Sequence, residues 1–416
     1  MSPPPPPPPL APAAVPLAPC VAVTGPPNSG KTTLLHLLDE ALQLHPARPA
    51  VYVVKGNPDG TGRYLHYSPE LRTSLKASVK GRWIESTVDQ ICEWVTNARR
   101  NLELVLLDFG GKHSPENRRM LGLCSHYIVL SRRFADPAQE AAEGAASWRE
   151  ACESNGLKPV AVVESLWERG ACTMTAAESG SGGSGEAMMI EGTLRSDSSA
   201  PGDRANAPLI DALTARLLTM RVPRAPVAGV DLRLDRDWSP SDLPSLGGLL
   251  PHVAALAHAG AELCLHGRAP VWIYLAAMHR ALGLRPDCEV RMLDPKLEDK
   301  DGVRIPAVRG QQQQQPGRFP ADALRVEWRE SARPGFCRLE IAIATPDKFL
   351  PGWVSRELDS GLPLPAGPAP CAKVVVSGPV PIWLHMAYSR WLRSVPGVET
   401  IGVWDARNTT EIIVGP

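Results

Sequence analysis

The chain has 416 residues, nine cysteines, and 44 basic against 44 acidic side chains, so its formal net charge is zero. This length predicts two or three domains, and the balanced charge excludes a global field that would attract nucleic acid or an anionic membrane. The cysteines form neither a C-x-x-C pair nor a zinc spacing, and no apolar run reaches the roughly 18–20 residues of a membrane helix. With no signal-peptide pattern at the N-terminus, the sequence predicts a cytoplasmic protein with reduced thiols.

The first predicted strand ends in a phosphate-binding motif. Residues 1–19 are proline-rich and are predicted to be a disordered tail. The apolar run Val21–Thr24 then leads into G-P-P-N-S-G-K-T and a leucine-rich helical pattern, the strand–loop–helix order of a Walker A motif. In such a loop backbone amides and the helix N-terminus hold phosphate oxygens, the lysine reaches the terminal phosphates, and the threonine hydroxyl suits Mg²⁺. The predicted nucleotide-binding residues are Gly25, Asn28, Ser29, Gly30, Lys31, Thr32 and Thr33.

Strand and helix patterns alternate from residue 20 to 165, and the strands are continuously apolar. This predicts a parallel sheet covered on both faces, in a P-loop NTPase domain over 20–222 that contains a flexible Gly/Ser insert at 170–207. The third strand ends at Asp108, a Walker B pattern that places a carboxylate on Mg²⁺, and the Gly111 amide is predicted to face the terminal phosphate. No guanine-reading motif follows the later strands, which favours ATP over GTP. Asp59, after the second strand, is either an acceptor-side acid of a kinase or a plain turn residue.

The rest of the chain contains an internal repeat. Two segments, 226–309 and 321–416, each carry a strand, the motif G-x-x-P-x-W, a helix, and a strand that ends in acid-x-base. The acid-x-base pairs are Asp294 with Lys296, and Asp405 with Arg407. Residues 310–320 are a glutamine-rich linker. The repeat predicts two βαβαβ halves that form a pseudo-dimer.

Parts of both regions resemble a known combination. Residues 104–164, with LVLLDFGGKHSPENRRML, are similar to the P-loop ATPase module attached to some members of the third CRISPR-associated "Csx" family. The segments VVVSGPVPIWLHMAYSRWL and VWDAR resemble that family's own small domain, and LHGRAPVWIY with MLDPK repeats the pattern. The resemblance implies a ferredoxin-like fold for each half, assembly into homo-oligomers, and a role in type III CRISPR antiviral defence. It also implies Mn²⁺-dependent cleavage of RNA, including cyclic tetra-adenylate, which is a ring nuclease activity.

The family's site residues are carried over position by position. Its catalytic aspartate, implied to bind Mn²⁺, matches Asp294 and Asp405, and the following arginine matches Lys296 and Arg407. One family histidine matches His385, with Tyr274 in the other half, and another matches His279, with Arg390 opposite. The family's principal active-site histidine falls on Leu282 and Arg393, so it is missing from both halves.

Three hypotheses follow from these motifs. The first is a type III CRISPR accessory protein in which an ATP/Mg²⁺ domain is fused to a ring nuclease that binds and cleaves cyclic oligoadenylate or short RNA. The second keeps the fold without the cleavage, so that the tandem domain senses cyclic oligoadenylate and gates ATP hydrolysis. The third is a P-loop kinase that acts on a nucleotide or an RNA end. None of them predicts a DNA or membrane partner.

Overall fold

The structure is a computed structural model that describes parts of both predicted regions. Most of the Pro-rich tail, the linker 310–320, Asp59 and Arg407 lie outside the described residues. The predicted domain boundaries stay predictions. The described residues are 16–47, 49–56, 85–132, 144–166, 174–177, 189–195, 206–224, 229–232, 249–258, 262–267, 269–297, 302–306, 323–331, 333–344, 350, 354–355, 358, 361–405 and 410–415.

The N-terminal region is built on one sheet with the strand order β2-β3-β1-β4-β5-β7-β6. Neighbouring strands run parallel from β2 to β7, and only β6 is antiparallel. The predicted parallel sheet is therefore confirmed. Its strands are β1 (Cys20–Thr24), β2 (Val51–Gly56), β3 (Leu104–Phe109), β4 (His126–Ser131), β5 (Lys158–Leu166), β6 (Met174–Ala177) and β7 (Met189–Arg195).

Helices cover both faces of this sheet, which explains why its central strands are apolar throughout. The helices are α1 (Lys31–Leu44), α2 (Glu85–Asn101), α3 (Pro115–Leu121), α4 (Ala145–Ser154) and α5 (Ala207–Met220). Leu34, Leu38 and Leu42 of α1 pack with Leu213 of α5 in the core on one face. The other core contains Ile91 of α2, together with side chains of α3 and α4. The result is a three-layer α/β/α domain.

The stretch 170–207 contains two strands that the sequence analysis missed. β7 pairs in parallel with β5, and β6 returns along β7 in the antiparallel direction. Gly192 lies against α5, since a Cβ there would be 2.7 Å from Cδ1 of Leu209 and would require that side chain to move. The high glycine and serine content of this stretch indicated a loop. The structure instead adds β7 and β6 to the sheet, and β7 packs against α5.

The C-terminal region has two smaller sheets, one for each predicted half. The first has the order β11-β10-β9-β8 and the second the order β12-β13-β14-β15-β16. The first half contains β8 (Val230–Asp231), α6 (Leu249–His258), β9 (Leu263–His266), α7 (Val271–Leu284), β10 (Val290–Met292) and β11 (Val303–Ile305). The second contains β12 (Leu324–Glu330), β13 (Cys337–Ile343), β14 (Lys373–Ser377), α8 (Ile382–Leu392), β15 (Thr400–Asp405) and β16 (Thr410–Gly415).

The two halves share a single hydrophobic core. Helix α7 of the first half packs on β15 and β16 of the second, and α8 of the second half packs on β11 of the first. In each sheet three neighbouring strands run parallel and the last strand of the half is antiparallel to its neighbour. The ferredoxin-like arrangement of the halves is therefore not confirmed. Of the helices that the structure describes, none is both long and apolar enough to cross a membrane.

Candidate functional site

The loop after β1 has the backbone geometry of a phosphate cradle. Gly25 has φ 137°, and a Cβ there would lie 2.3 Å from the backbone oxygen of Leu130 in the neighbouring strand. Asn28 and Gly30 also have positive φ, 59° and 82°, and Gly30 caps the start of α1. The first amides of a helix have no intrahelical carbonyl to bind, so this turn presents unpaired donors at the carboxyl edge of the sheet.

The Lys31 side chain folds back over this loop. Its ammonium donates to the carbonyl oxygens of Gly25 and Pro26 at 2.8 and 2.7 Å. The pKa of Lys31 is lowered to about 8, first by burial and then by the positive charges of Lys55 and Arg132, while Asp108 acts in the opposite direction. The Ser29 hydroxyl is a third acceptor at 3.5 Å. A buried ammonium whose hydrogen-bond acceptors are neutral oxygens is ready to exchange them for an anion.

Asp108 lies directly beside the cradle. In the sheet, Asp108 lies opposite Val23 of β1 on one side and opposite Lys55 of β2 on the other. Its carboxylate is 2% exposed and forms an ion pair with the Lys55 ammonium. Sequence analysis predicted Asp108 but missed Lys55, because only the strand order brings the end of β2 next to the end of β3.

Arg132 is a second cation that sequence analysis missed. It follows β4, the other neighbour of β1, and it is close enough to lower the pKa of Lys31. Lys31, Lys55 and Arg132 therefore bring positive charge to the cradle, beside the Asp108 carboxylate that pairs with Lys55. Cationic side chains at such a loop suit a polyphosphate anion.

The loop after β3 closes against the cradle. Gly111 approaches Pro27 so closely that a Cβ on it would lie 2.5 Å from the Pro27 nitrogen. Asn117 of α3 fixes this loop by donating to the carbonyl of Lys112 at 2.7 Å, and its backbone amide donates to Ser114 at 3.2 Å. This contact places Gly111 beside the cradle, where the sequence predicts it. The predicted contact between its amide and the terminal phosphate stays a prediction.

The residues present fit a magnesium ion bound together with a nucleotide. Mg²⁺ takes few protein ligands and keeps several waters, so one carboxylate and one hydroxyl suffice. Thr32 lies in the first turn of α1 and Asp108 at the end of the adjacent strand. When bound, the ion would neutralise phosphate charge and polarise the terminal phosphoryl group.

In the C-terminal region His279 is buried between the two halves. Arg393 donates to its Nδ1 at 3.1 Å, so in the neutral ring Nε2 carries the proton and donates to Ser389 at 2.7 Å. Burial and the Arg393 charge lower the pKa of His279 to about 3. Its ring also packs against Gly415, where a Cβ would lie 2.7 Å from the His279 Cγ. Both ring nitrogens are already used in contacts between the halves.

His385 has an equivalent structural contact within its own half. Its Nε2 donates to the carbonyl of Gly378 at 3.1 Å, and burial lowers its pKa to about 4. Tyr274, at the corresponding position of the repeat, donates to the carbonyl of Gly267 at 2.6 Å. Both residues thus hold the turn that precedes the helix. Their burial does not favour the catalytic roles implied by the resemblance.

Asp294 and Lys296 lie where the first half meets the P-loop domain. Asp294 is 5% exposed, and its carboxylate accepts from the Lys296 amide at 3.1 Å and faces the Lys296 ammonium at 3.6 Å. That ammonium lies 5.2 Å from the ring centre of Trp94 and 5.7 Å from that of Tyr52. Burial alone would lower the pKa of Lys296, but Asp294 and Tyr52 outweigh it and raise the pKa above its usual value.

Two asparagine side chains of α2 also contact this segment. Asn97 donates to the Lys296 carbonyl at 3.1 Å, and Asn101 donates to the Leu297 carbonyl at 3.1 Å. We call the segment 294–297 and its partners on β2 and α2 the domain contact. The Asp294 carboxylate is thus engaged with Lys296, and the Mn²⁺ role that the resemblance implies for it stays a prediction. Among the described residues no group of three His, Cys, Asp or Glu side chains could hold a metal ion.

The two predicted acid-x-base ends belong to different halves. Asp294 follows β10 and pairs with Lys296, whereas Asp405 ends β15 and is half-buried. Arg407 and Asp59 lie outside the described residues, so their predicted roles stay predictions.

Comparisons with known proteins give little further guidance. No protein-family model matches the chain, and no curated protein matches it. A solved structure with some likeness is the 54 kDa protein of the signal recognition particle from Aeropyrum pernix K1 in complex with GDP. It is 17% identical, with 66% of this chain and 59% of that chain covered, and its TM-score is 0.22. A TM-score this low does not indicate a function for this chain, so the function is inferred from the site itself.

Proposed function

We propose that the chain is a Mg²⁺-dependent nucleoside triphosphatase with ATP as its substrate. The observation that carries the proposal is the register of Asp108 beside the cradle. It sets a carboxylate between β1, which leads to Lys31, and β2, which carries Lys55 near its end. Positive side chains and free helix amides would hold the phosphates, and the carboxylate with Thr32 would hold the ion.

Nucleotide binding and phosphate release by the full chain test this proposal. Lys31→Ala is expected to weaken ATP binding about 100-fold or more, since it removes a charged hydrogen-bond donor from a buried phosphate site. Lys158→Ala is the matched control, because Lys158 is exposed at the amino end of β5, at the opposite edge of the sheet. Equal binding by wild type and Lys31→Ala would overturn the proposal.

The same assay separates the alternatives for the reaction. Parallel measurements with GTP test the preference for ATP. Transfer of labelled phosphate to an added RNA, rather than to water, would instead identify a kinase.

For the tandem domain we propose regulation of the P-loop domain by a bound cyclic oligoadenylate, without cleavage by the two histidines. Two observations favour this over a nuclease: His279 and His385 are committed to internal hydrogen bonds, and Lys296 bridges to Tyr52 and Trp94 of the P-loop domain. Tyr52 lies three residues before Lys55 on β2, so a change at the domain contact has a short path to the phosphate site.

Cyclic tetra-adenylate, with and without Mn²⁺, is the probe for this second proposal. We expect binding without cleavage, together with a changed rate of ATP hydrolysis. Lys296→Met should remove the change in rate while leaving cyclic tetra-adenylate binding intact. Lys373→Met is the control, since Lys373 lies 5.7 Å from the Phe336 ring within its own half. Cleavage that His279→Gln or His385→Gln abolishes would restore the ring nuclease hypothesis. The CRISPR role and homo-oligomer formation stay predictions.

A further inference from the structure

Lys55 holds the carboxylate that the proposed function assigns to Mg²⁺. Its ammonium forms an ion pair with Asp108, and the two side chains are 17% and 2% exposed. The two residues are register partners on parallel strands, so their side chains leave the sheet on the same face. The pairing is thus fixed by the sheet.

This pairing cannot persist unchanged when a magnesium ion binds. One carboxylate would then face both a dication and an ammonium, and the two cations would repel each other at short range. The ammonium must either leave the site or find another anion. Its long flexible stem allows a movement of several ångströms without a backbone change.

A terminal phosphate would be such an anion. Asp108 lies between Lys55 and β1 in the strand register, and the charge of Lys55 acts on Lys31 of the cradle. With Mg²⁺ held at Asp108, a triphosphate bound in the cradle would bring its last phosphate toward Lys55, and a diphosphate would lack that group.

We infer that Lys55 is a ligand of the terminal phosphate, kept on Asp108 until Mg²⁺ and a nucleoside triphosphate arrive. This inference rests on the proposed function. By this inference, Lys55 makes the site bind a nucleoside triphosphate more tightly than a diphosphate. The same exchange would break or restore the ion pair near the end of β2. This strand also carries Tyr52, which belongs to the domain contact.

The test compares the affinities of ribose-labelled fluorescent ATP and ADP over a series of Mg²⁺ concentrations. Lys55→Met is expected to weaken ATP binding about tenfold or more, since a charged contact to phosphate is lost, and to change ADP binding less than about twofold. The Mg²⁺ concentration for half-maximal ATP binding should fall in the variant because Asp108 no longer has a competing cation. Lys158→Met, at the opposite edge of the sheet, should leave both affinities unchanged.

A second pair of variants keeps the test decisive if Lys55→Met does not fold around its unpaired carboxylate. Asp108→Asn is compared with Asp108→Asn/Lys55→Met, in which no buried carboxylate is left alone. A lower ratio of ATP to ADP affinity in the double variant supports the inference, whereas an equal ratio overturns it and makes Lys55 a partner of Asp108 only. If wild type binds ATP and ADP but Lys55→Met discriminates between them equally well, only this inference fails. If wild type binds neither nucleotide, the proposed function fails with it.

Discussion

Two strand–turn–helix units of this chain begin their turn with a glycine of positive φ, but the two turns differ in the groups that they hold. At the end of β1, Gly25 has φ 137°, and at the end of β14, Gly378 has φ 136°. In both units a Cβ would collide with a carbonyl of the neighbouring strand, at 2.3 Å from Leu130 and 1.8 Å from Ile341. Each turn therefore requires glycine for the same steric reason.

What fills each turn decides what it can do. After Gly25 the loop continues through Asn28 and Gly30, and its buried lysine donates to neutral oxygens, two carbonyls and the Ser29 hydroxyl. After Gly378 the turn ends in Pro381 at the helix cap, and His385 donates back to the Gly378 carbonyl. Pro381 has no amide at the cap position that Gly30 occupies in the first unit. The comparison teaches that the first turn holds a buried charge on neutral acceptors, whereas the second is closed by a hydrogen bond between a neutral ring and a carbonyl.

The largest expected effect concerns pH and the two buried histidines of the tandem domain. His279 and His385 have folded pKa values of about 3 and about 4, both below the unfolded value of 6.5. Below pH 6.5 the unfolded chain therefore binds more protons, so stability is full above that pH and is lost as the pH falls. At pH 5 each histidine should cost about 2 kcal/mol relative to pH 8.

Urea unfolding at pH 8 and pH 5 measures this loss. In His385→Gln the side-chain amide can still donate to the Gly378 carbonyl but does not titrate. About half of the pH dependence should disappear in this variant. A variant with the full wild-type pH dependence would show that His385 is not buried in its neutral form.

The shared turn is the second target. Gly25→Ala and Gly378→Ala should each reduce the free energy of unfolding by about 3 kcal/mol, because a strained φ and a backbone collision act together. Gly156→Ala is the matched control, since Gly156 has φ 75° with nothing within 4 Å of the added Cβ. Its cost should be about 1 kcal/mol, from strain alone. If the three variants unfold alike in urea, the collisions do not govern these turns.

Arg390 tests the contact between the halves. Its guanidinium donates to the carbonyls of Ile305 and Cys288 at 2.8 and 3.0 Å, across the pseudo-dimer. Arg390→Met should cost about 2 kcal/mol, since two buried carbonyls lose charged donors. Arg329→Met should cost less than about 0.5 kcal/mol, because that arginine is half exposed and pairs with Glu327 at the surface. Equal thermal midpoints for both variants would contradict the assignment.

The smallest expected effect lies in the first half's own turn. Tyr274→Phe removes the donor to the Gly267 carbonyl and leaves the ring in place. The expected loss is about 1 kcal/mol in urea unfolding. Leu44→Ala is a suitable control because Leu44 is 51% exposed, and it should change stability only slightly. A loss no larger than that of the control would mean that the tyrosine hydroxyl does not hold the turn.

The sequence predicted the parallel P-loop sheet and the cradle because these depend on local patterns. Gly25 to Thr32 and Asp108 are set by a motif and by a strand end. Lys55 and Arg132 were missed because their proximity depends on the strand order β2-β3-β1-β4, which local patterns do not encode. The environment of Lys296 depends on which surface α2 presents to the tandem domain. The strands inside 170–207 were missed because composition outweighed their short apolar runs.

The joining of the two halves in one chain has a consequence for their symmetry. In a homodimer one sequence must serve both sides of the interface, so every substitution acts twice. Here equivalent helix positions carry different residues: His279 packs on Gly415, whereas Arg390 reaches Ile305. Covalent linkage thus lets each half specialise, as in the first half, where Lys296 contacts Trp94 and Tyr52 of the P-loop domain.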